Sequence, residues 1–472
     1  MKKLIPIILV LALLLCSCGE PEPTAAKVKG ADALYAEGVS AEMLSASFWT
    51  NDTTPLLTEA EIAYINEANG PYCNYTDENG ETVTVRRADI TDSISGKAVR
   101  GLIEAQSMPT AESYTADGEL ATQGFIDGIA AEKDLAAIPE TVTPVYAICV
   151  KRDIAKCVPT DEPFYDAPDD YYYDMNTSAE VMPGDGVTVL HTSLSGKLVF
   201  IMADFYTGWL HTDSVAACES KAKWEEAMSP ESFLTVTGYK ITVEKPVTAK
   251  YSVDCDAYMG MKLRLADGKP ESVDGRATYG AYCIELPARD ESGMLCYVET
   301  TVSVNEDVTV GLLAPTPVNM VGQALKFSGH EYGWGGMNES NDCSGAVRQI
   351  WRCFGLALPR NTGEISKVTG YAVTEFDEDA TAEARLETLK KLTPGSILYI
   401  SGHTMVYLGT VDGEAFCLNS CGSFIQKSEK GKEEMSVTRV NCVCVNSMNV
   451  LRKTGKTWLE SLIRVISPTV AK

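Results

Sequence analysis

The chain has 472 residues, with 40 Lys and Arg against 65 Asp and Glu, a formal charge of −25. A field of that sign repels polyanions, which excludes nucleic acid as a partner and binding to anionic polymers by bulk attraction. Hydrophobic residues make up 45%, ordinary for globular chains, and the length predicts about three or four domains.

In chain order, Met1-Lys2-Lys3 precedes an apolar run from Leu4 to Leu15, then Cys16-Ser17-Cys18-Gly19. The run falls short of the roughly 20 residues that span a bilayer and reads as a signal peptide. Leu15 to Cys18 looks like a bacterial lipobox, which implies cleavage before Cys18 and lipid attachment to it. A plain cleaved signal is the alternative. The expectation is an exported protein, lipid-anchored at the cell envelope, with the membrane reached only through the N-terminal lipid. Glu20 to Lys29, rich in Pro, Ala and charge, reads as a tether. From there to about Val142 the chain is polar with helical patches. Thr58 and Glu61 stand at capping-box spacing ahead of one of them.

From Pro144 to about Cys218 the pattern changes to short strands and turns, clearest at Val181 to Leu190, Lys197 to Ala203 and Tyr206 to His211. Tyr206-Thr-Gly-Trp-Leu210 resembles the end of a bacterial SH3 domain. Asp169 to Asp174, with Tyr171, Tyr172 and Tyr173, is either a binding lip or a solvated surface loop. A second small β-domain follows from Ser232 to about Val304, with runs at Phe233 to Val236, Met261 to Leu265, Tyr282 to Leu286 and Leu295 to Val298.

The stretch from His330 to Phe354 carries the chemistry. A glycine-rich loop with Tyr332, Trp334 and Gly333, Gly335, Gly336 runs into Asp342-Cys343-Ser344-Gly345. Apolar residues at Ala346, Val347, Ile350, Trp351 and Phe354 then mark one helix face, and Gly355 stands where the helix ends. Asp342 is placed to cap that helix with Cys343 in its first turn. There the helix dipole and free N–H groups stabilise a thiolate. A buried structural cysteine is the competing reading of Cys343 alone. The glycines favour a site whose backbone must approach a substrate.

A thiol nucleophile needs a base, and the chain has four histidines. His403 starts the second strand of a predicted hairpin turning at Ser401-Gly402, with His403, Met405 and Tyr407 on one face. A further run, Ala415 to Ser420, can pair with it and present Asn419. Cysteine, histidine and amide in this order suit attack, proton transfer and imidazole orientation. His330, ahead of the tight loop, is the second candidate base. From Val308 the remaining expectations are a first helix at Pro317 to Phe327, a surface excursion with a helix at Glu375 to Lys391, and a terminal helix at Trp458 to Ile466.

Tyr332-Gly-Trp-Gly-Gly336, Asp342-Cys-Ser-Gly345, Leu358-Pro-Arg-Asn-Thr362, and Pro394-Gly-Ser396 followed by Gly402-His403 together resemble the NlpC/P60 family of cell-wall cysteine peptidases (C40-type, papain-like). The resemblance implies a papain-like α+β catalytic domain at 308–472, preceded by SH3-like β-barrels at 143–222 and 230–305. Residues 1–18 are then the lipoprotein signal peptide, and 19–142 a tether and helical N-terminal domain that packs against the later domains. It implies Cys343 as nucleophile, His403 as base and Asn419 as the third polar residue. Its members hydrolyse peptidoglycan stem peptides, typically between D-glutamate and the diamino acid. No metal or cofactor is needed, and a monomer is expected.

Members that combine SH3 domains with this peptidase domain resemble γ-D-glutamyl-L-diamino acid endopeptidases acting on muropeptides with a free N-terminal L-alanine. Tyr332, Trp334, Asp342, Ser344, Asn361 and Thr362 are the implied substrate-binding residues, with Tyr206 as the SH3 tyrosine and Asp185 as a compensating carboxylate. Asn361 stands where such enzymes carry an acid, so it either contacts substrate or caps a helix with Glu364. Diaminopimelate and lysine stems, intact wall and freed muropeptides all stay open. The competing function is a non-catalytic cell-wall-binding lipoprotein, with an amidase or acyltransferase on the same scaffold as a minor alternative. Of fifteen cysteines, twelve remain beyond Cys16, Cys18 and Cys343 for disulfides or buried thiols.

Overall fold

The computed structural model describes residue 36, residues 38–427 and residues 435–471. The leader with Cys18 and the tether Glu20 to Lys29 lie outside the described residues. No helix among the described residues is long and apolar enough to cross a membrane.

Helix α1 (Glu59–Ala68) begins with the expected capping box, the Thr58 hydroxyl accepting from Glu61 N–H while the Glu61 carboxylate accepts from Thr58 N–H. It buries Ile62 and Ile65 against the helices of the C-terminal domain. Asn66 donates to Gly355 O at 2.8 Å and accepts from Ala357 N at 2.9 Å. Helix α2 (Gly96–Glu104) turns Val99, Leu102 and Ile103 onto Leu198, Phe200 and Trp209 of the next domain. The N-terminal segment therefore packs against both of its larger neighbours.

The first β-domain is a seven-stranded antiparallel sheet: β1 (Val145–Cys149), β2 (Asp153–Lys156), β3 (Thr177–Val181), β4 (Gly186–Thr192), β5 (Leu198–Met202), β6 (Thr207–His211) and β7 (Val215–Ala217), in the order β7-β1-β4-β5-β6-β2-β3. The run from Val181 to Leu190 is broken in two, because Gly184 takes φ +88° and turns the chain. Helix α3 (Lys221–Met228) leads to the second β-domain. Its strands β8 (Phe233–Val236), β9 (Lys262–Leu265), β10 (Ala281–Arg289), β11 (Leu295–Ser303) and β12 (Val308–Val310) order as β11-β10-β9-β8-β12. Leu234, Val236, Leu263, Ile284 and Leu286 form its own core.

The C-terminal domain starts with α4 (Pro317–Leu325), α5 (Cys343–Arg352) and the short α6 (Thr362–Ile365). Its sheet contains β13 (Tyr371–Glu375), β14 (Ile397–Ile400), β15 (His403–Val411), β16 (Glu414–Lys427), β17 (Met435–Ser447) and β18 (Leu462–Val470), with α7 (Ala382–Leu389) after β13. The order β13-β18-β14-β15-β16-β17 is antiparallel throughout. Pleat alternation divides β15 between two cores. Val406 and Leu408 join Val347, Ile350 and Trp351 of α5, while Met405 and Tyr407 join Leu389 of α7 and Trp458.

The expected terminal helix at Trp458 to Ile466 is not formed. Residues 457–461 turn, and Leu462 onward is β18, paired with β13 on one edge and β14 on the other. Ile463, Val465 and Ile466 suit a half-buried pleated surface, and two ready partner strands outweigh the short helical spacing.

Candidate active site

Cys343 is the first residue of α5, and Asp342 caps the helix by accepting from Gly345 N at 2.8 Å. The other acceptor capacity of Asp342 goes to Gly335 N at 3.0 Å, the Ser344 hydroxyl at 3.1 Å, and Arg360, whose Nη1 and Nη2 lie at 3.0 and 2.8 Å. Burial would raise its carboxyl, but Arg360 holds it below the ordinary carboxylate range. Asp342 and Ser344 were expected to bind substrate. Both are buried and fully engaged in holding the loop, so their part is to position Cys343.

His403 stands at the start of β15, after the turn in which Gly402 takes φ +80°. Its Nε2 lies 3.1 Å from Asn419 Oδ1 on β16. The orientation of that amide follows from its surroundings. Asn419 Nδ2 donates to Asn446 Oδ1, and Asn446 Nδ2 in turn donates to Ser447 O at 2.9 Å. Asn419 Oδ1 is therefore the acceptor, Nε2 carries the proton, and Nδ1 is the ring nitrogen left for the thiol. Trp458 sits edge-on to the imidazole with ring centroids 5.1 Å apart.

The Cys343 thiol is in hydrogen-bonding contact with His403, and its Sγ lies 3.4 Å from Thr362 Oγ1. Burial pushes the thiol up, but the charge and hydrogen bond of His403, with help from Thr362, bring it down to about 7. Among the described residues, burial raises the thiols of Cys73, Cys149, Cys157, Cys353 and Cys417 instead. The thirteen described cysteines are all free thiols. Tyr332 is buried beside Asp342 and Cys343, which raise its phenol after burial itself, so it stays a protonated donor.

Several expected residues do not join this group. Tyr206 is 5% exposed and donates to Glu180 O at 3.2 Å inside the first β-domain. Asp185 accepts from Arg352 at 2.7 Å, further along the cysteine helix, and lines a separate cavity of about 440 Å³. His330 stacks on Tyr239 with centroids 3.5 Å apart. Asn361 occupies the N-cap position of α6, yet its side chain makes no cap hydrogen bond. Glu364 turns away to Tyr72 and Lys367, so the capping box is not built.

Four groups were missed or under-read. Tyr173, from the acidic tyrosine loop, packs on Tyr332 and Trp334 at centroid distances of 5.8 and 5.5 Å. Its hydroxyl lies so close to Gly422 that a Cβ there would meet it at 2.5 Å. Tyr173 thus packs on the catalytic loop, while Tyr171 and Tyr172 of the same segment are exposed. Asn446 and Trp458 carried no local signal, and Glu180 reaches Arg360 at 3.0 Å from the first β-domain. The glycines also have another cause than substrate approach. A Cβ on Gly335 would meet Thr177 at 2.3 Å and one on Gly336 would meet Glu180 at 2.6 Å, so β3 of the first β-domain claims that space.

A sequence profile of the NlpC/P60 family matches residues 329–444, and one for an SH3 domain of SH3b1 type matches residues 163–211. Among solved structures, the chain is similar to an NlpC/P60 endopeptidase from Photobacterium damselae subsp. piscicida. The two are 18% identical with a TM-score of 0.68, over 91% of this chain and 98% of that one. It is also similar to an NlpC/P60 family protein from Bacillus cereus, at 16% identity and TM-score 0.42 over 62% of this chain and 83% of the other. No curated protein matches the chain. The chain is thus a multidomain protein in which an SH3b domain precedes a C-terminal domain of the NlpC/P60 peptidase family.

Proposed function

We propose that this protein is a cysteine endopeptidase of cell-wall peptides that cuts the bond between γ-D-glutamate and the diamino acid. The observation that carries the reading is the Cys343 thiol, held at about 7 on a helix N-terminus against His403, whose other nitrogen is fixed by Asn419. His403 Nδ1 takes the thiol proton, and the thiolate attacks the amide carbonyl. The backbone N–H of Cys343 and the Tyr332 hydroxyl are the donors for the oxyanion. His403 then protonates the leaving amine. Water, deprotonated by the same imidazole, splits the thioester and restores the thiol.

Two features support a cell-wall peptide as the substrate. The SH3b domain sits against the catalytic loop, and its Tyr173 narrows one end of the site, which suits a short stem rather than a long chain. A wall-binding protein without activity has no need of a thiol held below its ordinary value. Export and lipid attachment at Cys18 belong to this proposal on the strength of the leader sequence.

The test is incubation of the full-length protein with L-Ala-γ-D-Glu-diamino acid peptides, products read by mass. Release of L-Ala-γ-D-Glu by the wild type and not by Cys343→Ala is the expected result. Intact peptide, with Cys343 titrated as a free thiol, would overturn the reading.

A further inference from the structure

The cavity of about 440 Å³ lies where the N-terminal segment, both β-domains and the peptidase domain meet, and each of them lines it. Arg87 comes from the N-terminal segment, Asp185 from the SH3b domain, Arg264 from the second β-domain and Arg348 from the cysteine helix. Neither Cys343 nor His403 lines it. Arg348 and Arg352 stand one turn apart on one face of α5, and Lys262 and Arg264 share a face of β9. The two elements are held close together. A Cβ on Gly260, just ahead of β9, would meet the Cβ of Arg352 at 2.6 Å.

The charge of the lining is opposite to that of the chain, in which acidic residues outnumber basic ones 65 to 40. Arg87, Lys262, Arg264, Arg348 and Arg352 line the cavity together with Asp185, Asp204 and Glu285, so five cations less three carboxylates leave a surplus of two. Each carboxylate is already engaged. Asp185 accepts from Arg352 at 2.7 Å, Glu285 pairs with Arg264 at 2.8 Å, and Asp204 pairs with Arg87. Arg264 also has Glu226 at 3.9 Å. Lys262 is exposed and makes no ion pair with any described carboxylate, resting over the Phe233 ring at 4.9 Å. Arg348 is only 5% exposed, yet its guanidinium makes no hydrogen bond to any described residue, and its ion pair with Asp204 is long at 3.9 Å. A buried guanidinium costs stability when its N–H donors lack acceptors. The cavity that Arg348 lines is where an acceptor can reach it.

We propose that this junction binds a phosphate group, as free phosphate or as a phosphate monoester, with Arg348 and Lys262 as its main ligands and Arg352 beside them. A monoester carries about −1.5 to −2 charges at neutral pH, which matches the surplus of the lining. Its oxygens accept from guanidinium forks on more than one side, as a flat carboxylate does not. The cavity is larger than the bare anion needs, and Met228, Tyr297 and Leu358 give it an apolar wall for the organic part of a monoester. The bound anion bridges α5 to β9 behind the cysteine helix.

Isothermal titration calorimetry on the full-length protein at fixed ionic strength tests it, with inorganic phosphate, phenyl phosphate and succinate as probes. One phosphate per chain is expected. Its Kd should rise about fivefold in Lys262→Gln, which removes an exposed charge, and about tenfold in Arg348→Gln, which removes buried donors. Lys262→Gln alone decides the matter if Arg348→Gln does not fold. Tighter binding of phenyl phosphate than of phosphate supports the site as one for a monoester, and equal or weaker binding supports it as one for free phosphate. No saturable binding of phosphate by the wild type overturns the proposal. So does an unchanged Kd in either folded variant. Succinate held as tightly as phosphate overturns it too, because a dicarboxylate matches the charge without the tetrahedral geometry.

Discussion

Arg360 of the peptidase domain donates to Glu180 of the SH3b domain at 3.0 Å, and both side chains are 2% exposed. The same guanidinium grips Asp342, the residue before Cys343, so one buried cation ties a neighbouring domain to the cap of the cysteine helix. Such a group is held by mutual dependence. Removing Arg360 leaves two buried carboxylates without their cation, and breaking a buried pair costs about 3–5 kcal/mol.

Arg360→Ala is therefore expected to destabilise the protein by about 4 kcal/mol, seen as an earlier urea transition. Glu180→Ala should cost less, because Arg360 keeps Asp342. Combined, the two losses should be clearly less than additive. Additive losses, or less than about 1 kcal/mol for Arg360→Ala, would show that the network does not join the domains.

The thiol of Cys343 is lowered from about 9 to about 7. The depressed group is the anion, so thiolate grows as pH rises through 7 and is lost below it. Alkylation of Cys343 by iodoacetamide should rise with a midpoint near pH 7 and be flat by pH 9. His403→Ala removes the main lowering influence and should move the midpoint upward by more than one unit. A wild-type midpoint near 9 would mean that burial wins.

Much of this site was legible in the sequence because it is local. The cap, the nucleophile and the helix face lie within a dozen residues, and the turn at Gly402 places His403 by strand pairing alone. Asn419 follows from the register of the next strand. What stayed hidden depends on contacts between distant segments. Asn446 matters through the strand after Asn419, Trp458 through a turn folded back on His403, and Tyr173 through a loop of another domain. Tyr206 and Asp185 were misplaced for the same reason: motif and charge identify a domain but not which of its faces meets the groove. The glycines were read as serving approach to a substrate, whereas at Gly335 and Gly336 the space a Cβ would take is filled by Thr177 and Glu180 of β3.

The chain from His403 through Asn419 to Asn446 predicts a second positioning residue. Asn446 is fully buried, and its Oδ1 is what turns the Asn419 amide toward the imidazole. Asn446→Ala leaves Asn419 Nδ2 without that acceptor, a defect worth about 1–3 kcal/mol. The kcat should fall about tenfold with KM little changed, since no substrate contact is lost. Asn446→Asp keeps the acceptor and should recover part of the rate. A changed KM with unchanged kcat would place Asn446 in binding rather than in orienting His403.

The remaining prediction concerns the free amine of the stem. The acid expected after the Pro-Arg pair is Asn361, which cannot neutralise an ammonium. Two carboxylates beside the cysteine loop, Asp342 and Glu180, are already used by Arg360. Tyr173 closes that end with a ring rather than a charge. N-acetylation of the L-alanine should therefore reduce kcat/KM by less than about tenfold, the loss being steric rather than ionic. Tyr173→Ala should narrow the gap further by opening the end it covers. A loss of a hundredfold or more on acetylation would require an unpaired carboxylate to reach the amine, with Asp170 beside Tyr173 the first to replace by Asn.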